Sequence, residues 1–310
     1  MQILITGGAG FVGSHLADAL LAAGHNVTVV DNLSTGLRTN VPAHARFIHA
    51  DVRSELDPVF RTVRPEVVYH LAAQVSVPDS VQDPSHDLAV NVQGAVNVLE
   101  SAARVSARKL VAVSSAAVYG APQILPIRED HVQFPLSPYG LSKLTGEAYV
   151  RLIAPIRGLQ YTILRPANIY GPRQRAEGEG AVVPAFVTRL LAGKDPVIHG
   201  DGSQTRDFIY VKDMVQALVQ AGTRADGMVL NASTGSAVTV AELWHLIAGN
   251  LGWKRPPVFG PARVGDIPHS VMANAMARQA LNWRPSVVLA EGLAHTVAWS
   301  ISDQAAPSRE

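Results

Sequence analysis

The stretch QILITGGAGFVG, residues 2–13, runs a short apolar segment straight into a glycine-rich turn that opens a helix. Its apolar residues are continuous rather than alternating, which marks a strand buried on both faces in a parallel sheet. Gly7, Gly10 and Gly13 fall in a G-x-x-G-x-x-G pattern. Glycines so spaced allow a tight turn, a close backbone approach to a pyrophosphate, and close packing of helix on strand, with the helix N-terminus facing the anion. Asp31 closes the next apolar run about 20 residues on, where a carboxylate can accept both hydroxyls of an adenosine ribose. The same charge repels a 2′-phosphate, so the expected cofactor is NAD rather than NADP. Arg38 is the nearby residue that keeps the second open.

Outward from this turn the texture repeats. NVTVV (26–30), RFIHA (46–50), EVVYHLA (66–72), KLVAVSS (109–115) and YTILRP (161–166) read as further buried strands. Phe11 to Ala23, Leu88 to Ala103 and Tyr139 to Ile153 carry apolar residues at helical spacing between them. Such alternation specifies an α/β fold, a Rossmann-type doubly wound parallel sheet. After about residue 170, glycine and proline punctuate the chain at GPRQ, EGEG, GDGS, WKRPP and WRP, with helical stretches at 184–193, 212–221 and 239–251. The expected division is a dinucleotide-binding domain over 1–170, with parts of 205–235 returning to it, and a smaller, interleaved C-terminal substrate-binding domain mainly over 171–310. The end, SDQAAPSRE, reads as a frayed tail.

Composition narrows the chemistry. With 310 residues, 47% hydrophobic and 16% charged, the chain has the apolar content for a compact core, which excludes intrinsic disorder. A net charge of +1 lacks the basic footprint of a nucleic-acid binder. The absence of cysteine removes disulfides, thiolate-held metals and thiol nucleophiles. The 11 histidines show no metal spacing with nearby acids, so no metal is expected, and His70 reads as a satisfied core histidine. The N-terminus carries no cationic n-region and no apolar stretch approaches the roughly 18 residues of a membrane span. The expectation is a soluble, cytoplasmic protein without a membrane partner.

Tyr139 and Lys143, in YGLSK, stand one helical turn apart and project from one face. An ammonium beside a phenol stabilises the phenolate and lowers its pKa from about 10 towards neutrality, which suits a general base. Ser114 and Ser115 end the fifth strand, where hydroxyls converge on whatever lies over the sheet edge. Asp51 and Val52 after the third strand, and Leu71, Ala72, Ala73 and Gln74 after the fourth, lie at the same edge. Asn91, in an otherwise apolar helix, needs a partner, and a structural bond is as plausible as a cofactor contact.

TGGAGFVG, Asp31-Asn32, HLAAQ, SSAAVYG, SPYGLSK and RPANIYGPRQ, in this order over essentially the whole chain, resemble the extended short-chain dehydrogenase/reductase family. GDGSQTRDFIYVKD (200–213) and ARVGDIPHS (262–270) are similar to its NAD-dependent nucleotide-sugar epimerase/dehydratase branch, of the UDP-glucose 4-epimerase type. The resemblance implies a catalytic triad of Ser115, Tyr139 and Lys143: Tyr139 takes the proton of the sugar 4-hydroxyl, Ser115 bonds the same oxygen, and Lys143 also holds the nicotinamide ribose. It implies cofactor contacts from Phe11, Val12, Asn32, Ser34, Gly36 and Ala167 beside those already named. Where the branch's 4,6-dehydratases carry an Asp-Glu pair, Ala116 and Ala117 follow Ser115, which favours epimerisation. Many epimerases of this type have a second hydroxyl residue at Ala117, so the sugar's hydrogen bonding is expected to differ.

A UDP-sugar brings a diphosphate, and guanidinium forks suit phosphate oxygens. Arg206 and Arg263 match the branch's diphosphate positions, Asp266 its ribose contact and Asn168 a contact near the diphosphate and sugar. Val182 and the backbone from Ile198 to Gly200 would line the base pocket. Ser270 matches the position that limits the sugar's C2 substituent, so a small residue there leaves room for an N-acetyl group. Arg173 and Arg175 could instead bind a carboxylated sugar, though arginines on exposed loops are more often solvated. The expected partners are a UDP-sugar and, as the family commonly pairs the helices at 88–103 and 139–153 into a four-helix bundle, a second copy. Uronate epimerisation, dehydratase or reductase chemistry and a non-catalytic NAD-binding sensor remain the alternatives.

Overall fold

The structure, a computed structural model, describes residues 1–176, 181–262 and 267–305. Six apolar runs form strands β1 (Gln2–Thr6), β2 (Asn26–Asp31), β3 (Arg46–His49), β4 (Val67–His70), β5 (Lys109–Val113) and β6 (Gln160–Pro166). Short strands follow: β7 (Asn168–Tyr170), β8 (Val197–His199), β9 (Thr205–Arg206), β10 (Phe208–Tyr210), β11 (Met228–Ala232), β12 (Val238–Thr239) and β13 (Val258–Gly260). The main sheet is wholly parallel, seven-stranded and ordered β11-β6-β5-β4-β1-β2-β3. Strand order reverses between β1 and β4, the switch point where such sheets open a crevice at their carboxyl ends. β11 (Met228–Ala232), from late in the chain, adds the outermost strand beside β6.

The helices are α1 (Phe11–Ala22), α2 (Asp57–Val63), α3 (Val77–Gln82), α4 (Pro84–Leu88), α5 (Gly94–Arg104), α6 (Pro138–Ile156), α7 (Val182–Leu191), α8 (Val211–Ala221), α9 (Val240–Asn250), α10 (Ala275–Leu281) and α11 (Leu289–Ala305). Continuous apolarity in the strands feeds two cores. On β1, Ile3 and Ile5 pack with Leu16, Leu20, Met214 and Leu218 of α1 and α8. Leu4 points the other way, to Phe60, Val98, Leu99 and Val150 of α2, α5 and α6. Each fully buried Leu or Ile contributes roughly 1.5–3 kcal/mol of transfer free energy, which fixes which face each helix covers.

The structure departs from the periodicity in two places. The expected helix over 88–103 is divided, with a turn of π-helix at Ala89–Gln93 between α4 and α5, where the buried Asn91 side chain bonds outward to other elements. The expected frayed tail begins too early: α11 continues to Ala305, anchored upstream by buried Leu293 and Val297, and the rest of that tail, 306–310, lies outside the described residues. Among the described residues no helix is long and apolar enough to cross a membrane.

Candidate active site

The glycine turn lies at the end of β1, and its close quarters explain its composition. A Cβ on Gly7, which has φ +72, would meet the Ala72 nitrogen at 2.5 Å, and one on Gly13 would meet the Gly7 oxygen at 2.2 Å. Gly10, the N-cap of α1, has no side chain to turn back on the first amides, so those N–H groups face outward. Phe11 and Val12, half-buried, begin the helix. Asp31 is buried; its carboxylate accepts from Ala9 N at 2.9 Å and Leu33 N at 2.8 Å. Each oxygen keeps a second lone-pair site, which is what a ribose diol needs.

Around this cradle, Asn32 donates to Asp51 at 2.9 Å and accepts from Ser34 N. Arg53, bonded to Asp51 at 2.8 Å, holds that carboxyl well below the usual carboxylate range. Gly36 packs against the backbone of Ala9, and Val52 is buried over Gly94. Arg38 stacks on the Phe47 ring, 4.6 Å from its centroid. Leu71, Ala72, Ala73 and Gln74 form a half-buried ledge after β4. Asn91 accepts from Gln74 N and donates to Gln74 O, Asp87 and Ser142, each at 3.0 Å, so its side chain holds the ledge through protein partners. Ala167 is buried beside Ala232.

The triad candidates meet at the same edge. Ser115 ends the loop after β5 and accepts from Ala117 N at 3.0 Å, capping a short turn over Ala116–Tyr119; its own O–H proton remains available to donate. Ser137 caps α6 by accepting from Gly140 N, and Ser80 accepts from Tyr139 N at 3.1 Å, so the first turn of α6 is held on two sides. Tyr139 is 5% exposed, and Lys143, one turn on, donates from Nζ to the Val113 carbonyl at 2.6 Å. Gly140 lets α6 approach: a Cβ there would lie 2.8 Å from the Ala117 oxygen.

His70, at the end of β4, shares a 2.8 Å bond with Thr6 Oγ1, and burial pushes its imidazole down to about 3. Between the unfolded value of about 6.5 and that pKa, only the unfolded chain takes up the proton, so this stability is present above pH 6.5 and is lost as pH falls, by at most about 1.4 kcal/mol per pH unit. The thermal midpoint of His70→Gln should therefore fall less steeply than the parent's from about pH 7 to about pH 4. Parallel slopes would refute that assignment.

On the second side, the Thr205–Asp207 segment draws the candidates together. Asn168 N donates to Asp207 O at 3.0 Å, Ser270 N donates to Thr205 O at 3.1 Å, and half-buried Arg206 lies between. Val182 begins α7, half-buried; Ile198 is 1% exposed, so only its backbone can line a pocket, and Gly200 follows with φ +80. Arg263 and Asp266 lie outside the described residues. Arg173 pairs with Asp18 of α1 at 2.7 Å and Arg175 donates to Thr35 O at 3.3 Å, while His15 bonds the Pro172 carbonyl at 2.9 Å. These arginines, rather than being only solvated, tether their loop to α1 and to the loop after β2.

A dinucleotide fits the donors present. The glycine cradle closes if any Cβ is added at 7 or 13, and Ser114 Oγ and Gln74 Oε1 are buried polar atoms with no partner among the described residues. Among the described residues no cluster of His, Asp and Glu could hold a metal.

The model of the NAD dependent epimerase/dehydratase family matches residues 3–232. The chain is 44% identical over 305 residues to a UDP-glucose 4-epimerase of Mycolicibacterium smegmatis, covering 96% of this chain and 97% of that one. It superposes with a TM-score of 0.95 at 40% identity on the UDP-glucose 4-epimerase of Thermotoga maritima solved with UDP-glucose, covering 98% of this chain and 100% of that one. The Thermus thermophilus UDP-glucose 4-epimerase in complex with NAD gives a TM-score of 0.91 at 38% identity, over 96% and 98%.

Proposed function

Because the chain belongs to the NAD dependent epimerase/dehydratase family, we propose that it is an NAD-dependent 4-epimerase of a UDP-sugar, with UDP-glucose and UDP-galactose the leading pair. The observation that carries this reading is the meeting of a dinucleotide cradle and a Ser-Tyr-Lys set at one sheet edge, with no carboxylate beside the serine. Ala116 and Ala117 follow Ser115, so this turn carries neither the acid nor the base of a dehydratase.

NAD, when bound, supplies a reversible two-electron acceptor for C4 of the sugar. Asp31 holds the adenosine ribose, Gly10 and the first amides of α1 meet the pyrophosphate, and Ser114 and Gln74 offer their unpartnered atoms to the cofactor. Tyr139 removes the proton of the 4-hydroxyl and returns it after the 4-keto sugar has turned over. Lys143 steadies the phenolate, and Ser115 donates to the same oxygen. Arg206 meets the diphosphate, a role the family resemblance also gives Arg263; Asn168 serves near the diphosphate and sugar, Asp266 bonds a ribose hydroxyl, and Val182 and the backbone of Ile198–Gly200 line the base pocket. Ser270, small and half-buried beside the Arg206 segment, leaves room for the N-acetylated pair.

A proton NMR time course with a panel of UDP-sugars and no added NAD tests the reading. Appearance of the 4-epimer supports it, and an inert panel sinks it. Substituting Asp31→Asn places an amide N–H against the Ala9 or Leu33 N–H and removes a charged acceptor. NAD affinity, read by calorimetry on stripped protein, is expected to weaken by roughly 10- to 100-fold.

We read residues 1–170, with parts of 205–235, as the NAD-binding domain and the remainder as mainly substrate-binding. Opposite the catalytic face, α6 exposes Leu141, Tyr149, Leu152 and Ile156 along one side, with Val81 and Leu88 alongside on α3 and α4. A second copy covering this face would make the expected homodimer. Sedimentation of a monomer at micromolar concentration would overturn it.

A further inference from the structure

Glu147 continues the Tyr139, Lys143 row by one more helical turn, and it is buried against a residue the reaction does not use. Arg165 of β6, among the largest fully buried side chains, donates from Nε to Glu147 Oε1 at 2.9 Å and from Nη2 to Oε2 at 2.6 Å. Its remaining arm, Nη1, donates to the Tyr119 hydroxyl at 2.9 Å and to the Glu129 carbonyl at 3.3 Å. Tyr119 ends the turn that Ser115 caps, and its hydroxyl donates to Asn231 Oδ1 of β11 at 2.7 Å. Asn231 in turn donates from Nδ2 to the Ile127 carbonyl at 3.0 Å, and its own N–H meets Glu129 Oε1 at 3.0 Å. Ile127 is bonded through its backbone to Val271 and Ala273, the segment that follows Ser270.

One continuous set of buried hydrogen bonds thus joins the helix of Tyr139 and Lys143, the turn of Ser115 and the segment beside Ser270. As a stability device it is a poor choice. A buried ion pair gives up its hydration, and well-packed apolar residues of equal volume often serve as well or better. What apolar packing does not supply is a fixed angle, whereas a planar guanidinium bidentate to a carboxylate sets both distance and orientation.

We propose that Arg165, Glu147, Tyr119 and Asn231 are positioning residues that hold the Tyr139 phenol in register with the Ser115 hydroxyl and tie both to the sugar-facing segment at 270–273. This rests on the epimerase reading for its kinetic consequence but not for its geometry. None of the four touches substrate or cofactor; each acts through the elements that do.

The test is Tyr119→Phe in the NAD-loaded enzyme, a change of one oxygen in an unchanged shape, with Glu147→Gln as the second variant should the first fail to fold. Misplacement of reacting groups by a fraction of an ångström predicts that kcat falls roughly 10- to 100-fold while KM stays within about twofold. The pH at which kcat is half-maximal should move upward by about one pH unit, since a phenol shifted from Lys143 loses part of its stabilisation. A purely structural role predicts a lower thermal midpoint with kcat per folded, NAD-loaded molecule and its pH profile unmoved, and that outcome overturns the proposal. The ultraviolet titration of Tyr139, taken as the difference between each protein and its own Tyr139→Phe partner, separates the two readings. If the parent protein turned over no UDP-sugar, the function would be wrong, yet an upward shift of this titration in Tyr119→Phe would still support the positioning role, and an unchanged titration would refute it.

Discussion

Tyr139→Phe is expected to lower kcat for epimerisation by about 10³-fold or more, with NAD and UDP-sugar binding within about twofold of the parent. The side chain is 5% exposed and the ring remains, so packing is conserved and only the hydroxyl is lost. The helix stays in place because its first turn is held from outside the ring, by Ser137 and Ser80. Among the described residues, three other groups of the site are poorly placed or too weak to act as a second base. His70 is buried, bonded to Thr6 and held neutral with a pKa of about 3, too weak a base for an alcohol at neutral pH. Asp31 is held by Ala9 N and Leu33 N at the end of β2, the position proposed for the adenosine ribose. Ser115 is itself an alcohol and gains nothing as a base without a neighbour to deprotonate it. The measurement is the NMR time course together with the NAD released on denaturation, so that lost turnover is not confused with lost cofactor. Turnover near the parental rate in a protein with full NAD content would remove Tyr139 from the mechanism.

What the sequence disclosed follows from the range of the forces involved. Buried parallel strands announce themselves because burial on both faces leaves no room for polar residues, and β1 to β6 fall within a few residues of the runs read as strands. The glycine turn and the Tyr139, Lys143 pair are local patterns whose geometry is fixed by turn and helix stereochemistry alone. The features that escaped are those settled by distant partners. Asn91 takes the structural bond its place in an apolar helix suggests, but its partners Gln74, Asp87 and Ser142, and the π-turn that interrupts the expected single helix there, are encoded by no periodicity. Arg165 sits in YTILRP, where an arginine inside an apolar run looks like a strand end. Its meaning depends on Glu147 and Tyr119, which the fold brings to it. Arg173 likewise reads as solvated until Asp18, far away in the chain, is seen beside it. The start of the expected tail escapes for the same reason, since α11 runs through Ala305 and is held by Leu293 and Val297 rather than by the polar residues at its end.

Gly13→Ala sets local propensity against space, and the magnitudes decide for space. Inside a helix, alanine is favoured over glycine by about 1 kcal/mol, so α1 alone would be strengthened by the change. The new Cβ, however, would stand 2.2 Å from the Gly7 oxygen, 2.8 Å from the Gly8 Cα and 2.9 Å from the Gly7 carbonyl carbon. These are backbone atoms and cannot rotate away. The turn itself is held by Gly7 N on Val30 O at 2.9 Å and Gly10 N on Gly7 O at 3.2 Å, and Gly7 has Ala72 against its other side. Relief therefore requires α1 to lift from the sheet or the turn to open, at about 1–3 kcal/mol for overpacking of this kind. Either movement displaces the first amides of α1, the proposed pyrophosphate site. NAD affinity is expected to fall by about 100-fold or more, and the rise in thermal midpoint that NAD gives the parent should nearly vanish. Gly249→Ala is the matched control. It lies near the end of α9, exposed, without a positive φ and with nothing within 4 Å of its Cβ, so the same substitution should raise stability by up to about 1 kcal/mol and leave NAD binding untouched. A Gly13→Ala protein that bound NAD as tightly as the Gly249→Ala protein would mean that the turn does not touch the pyrophosphate.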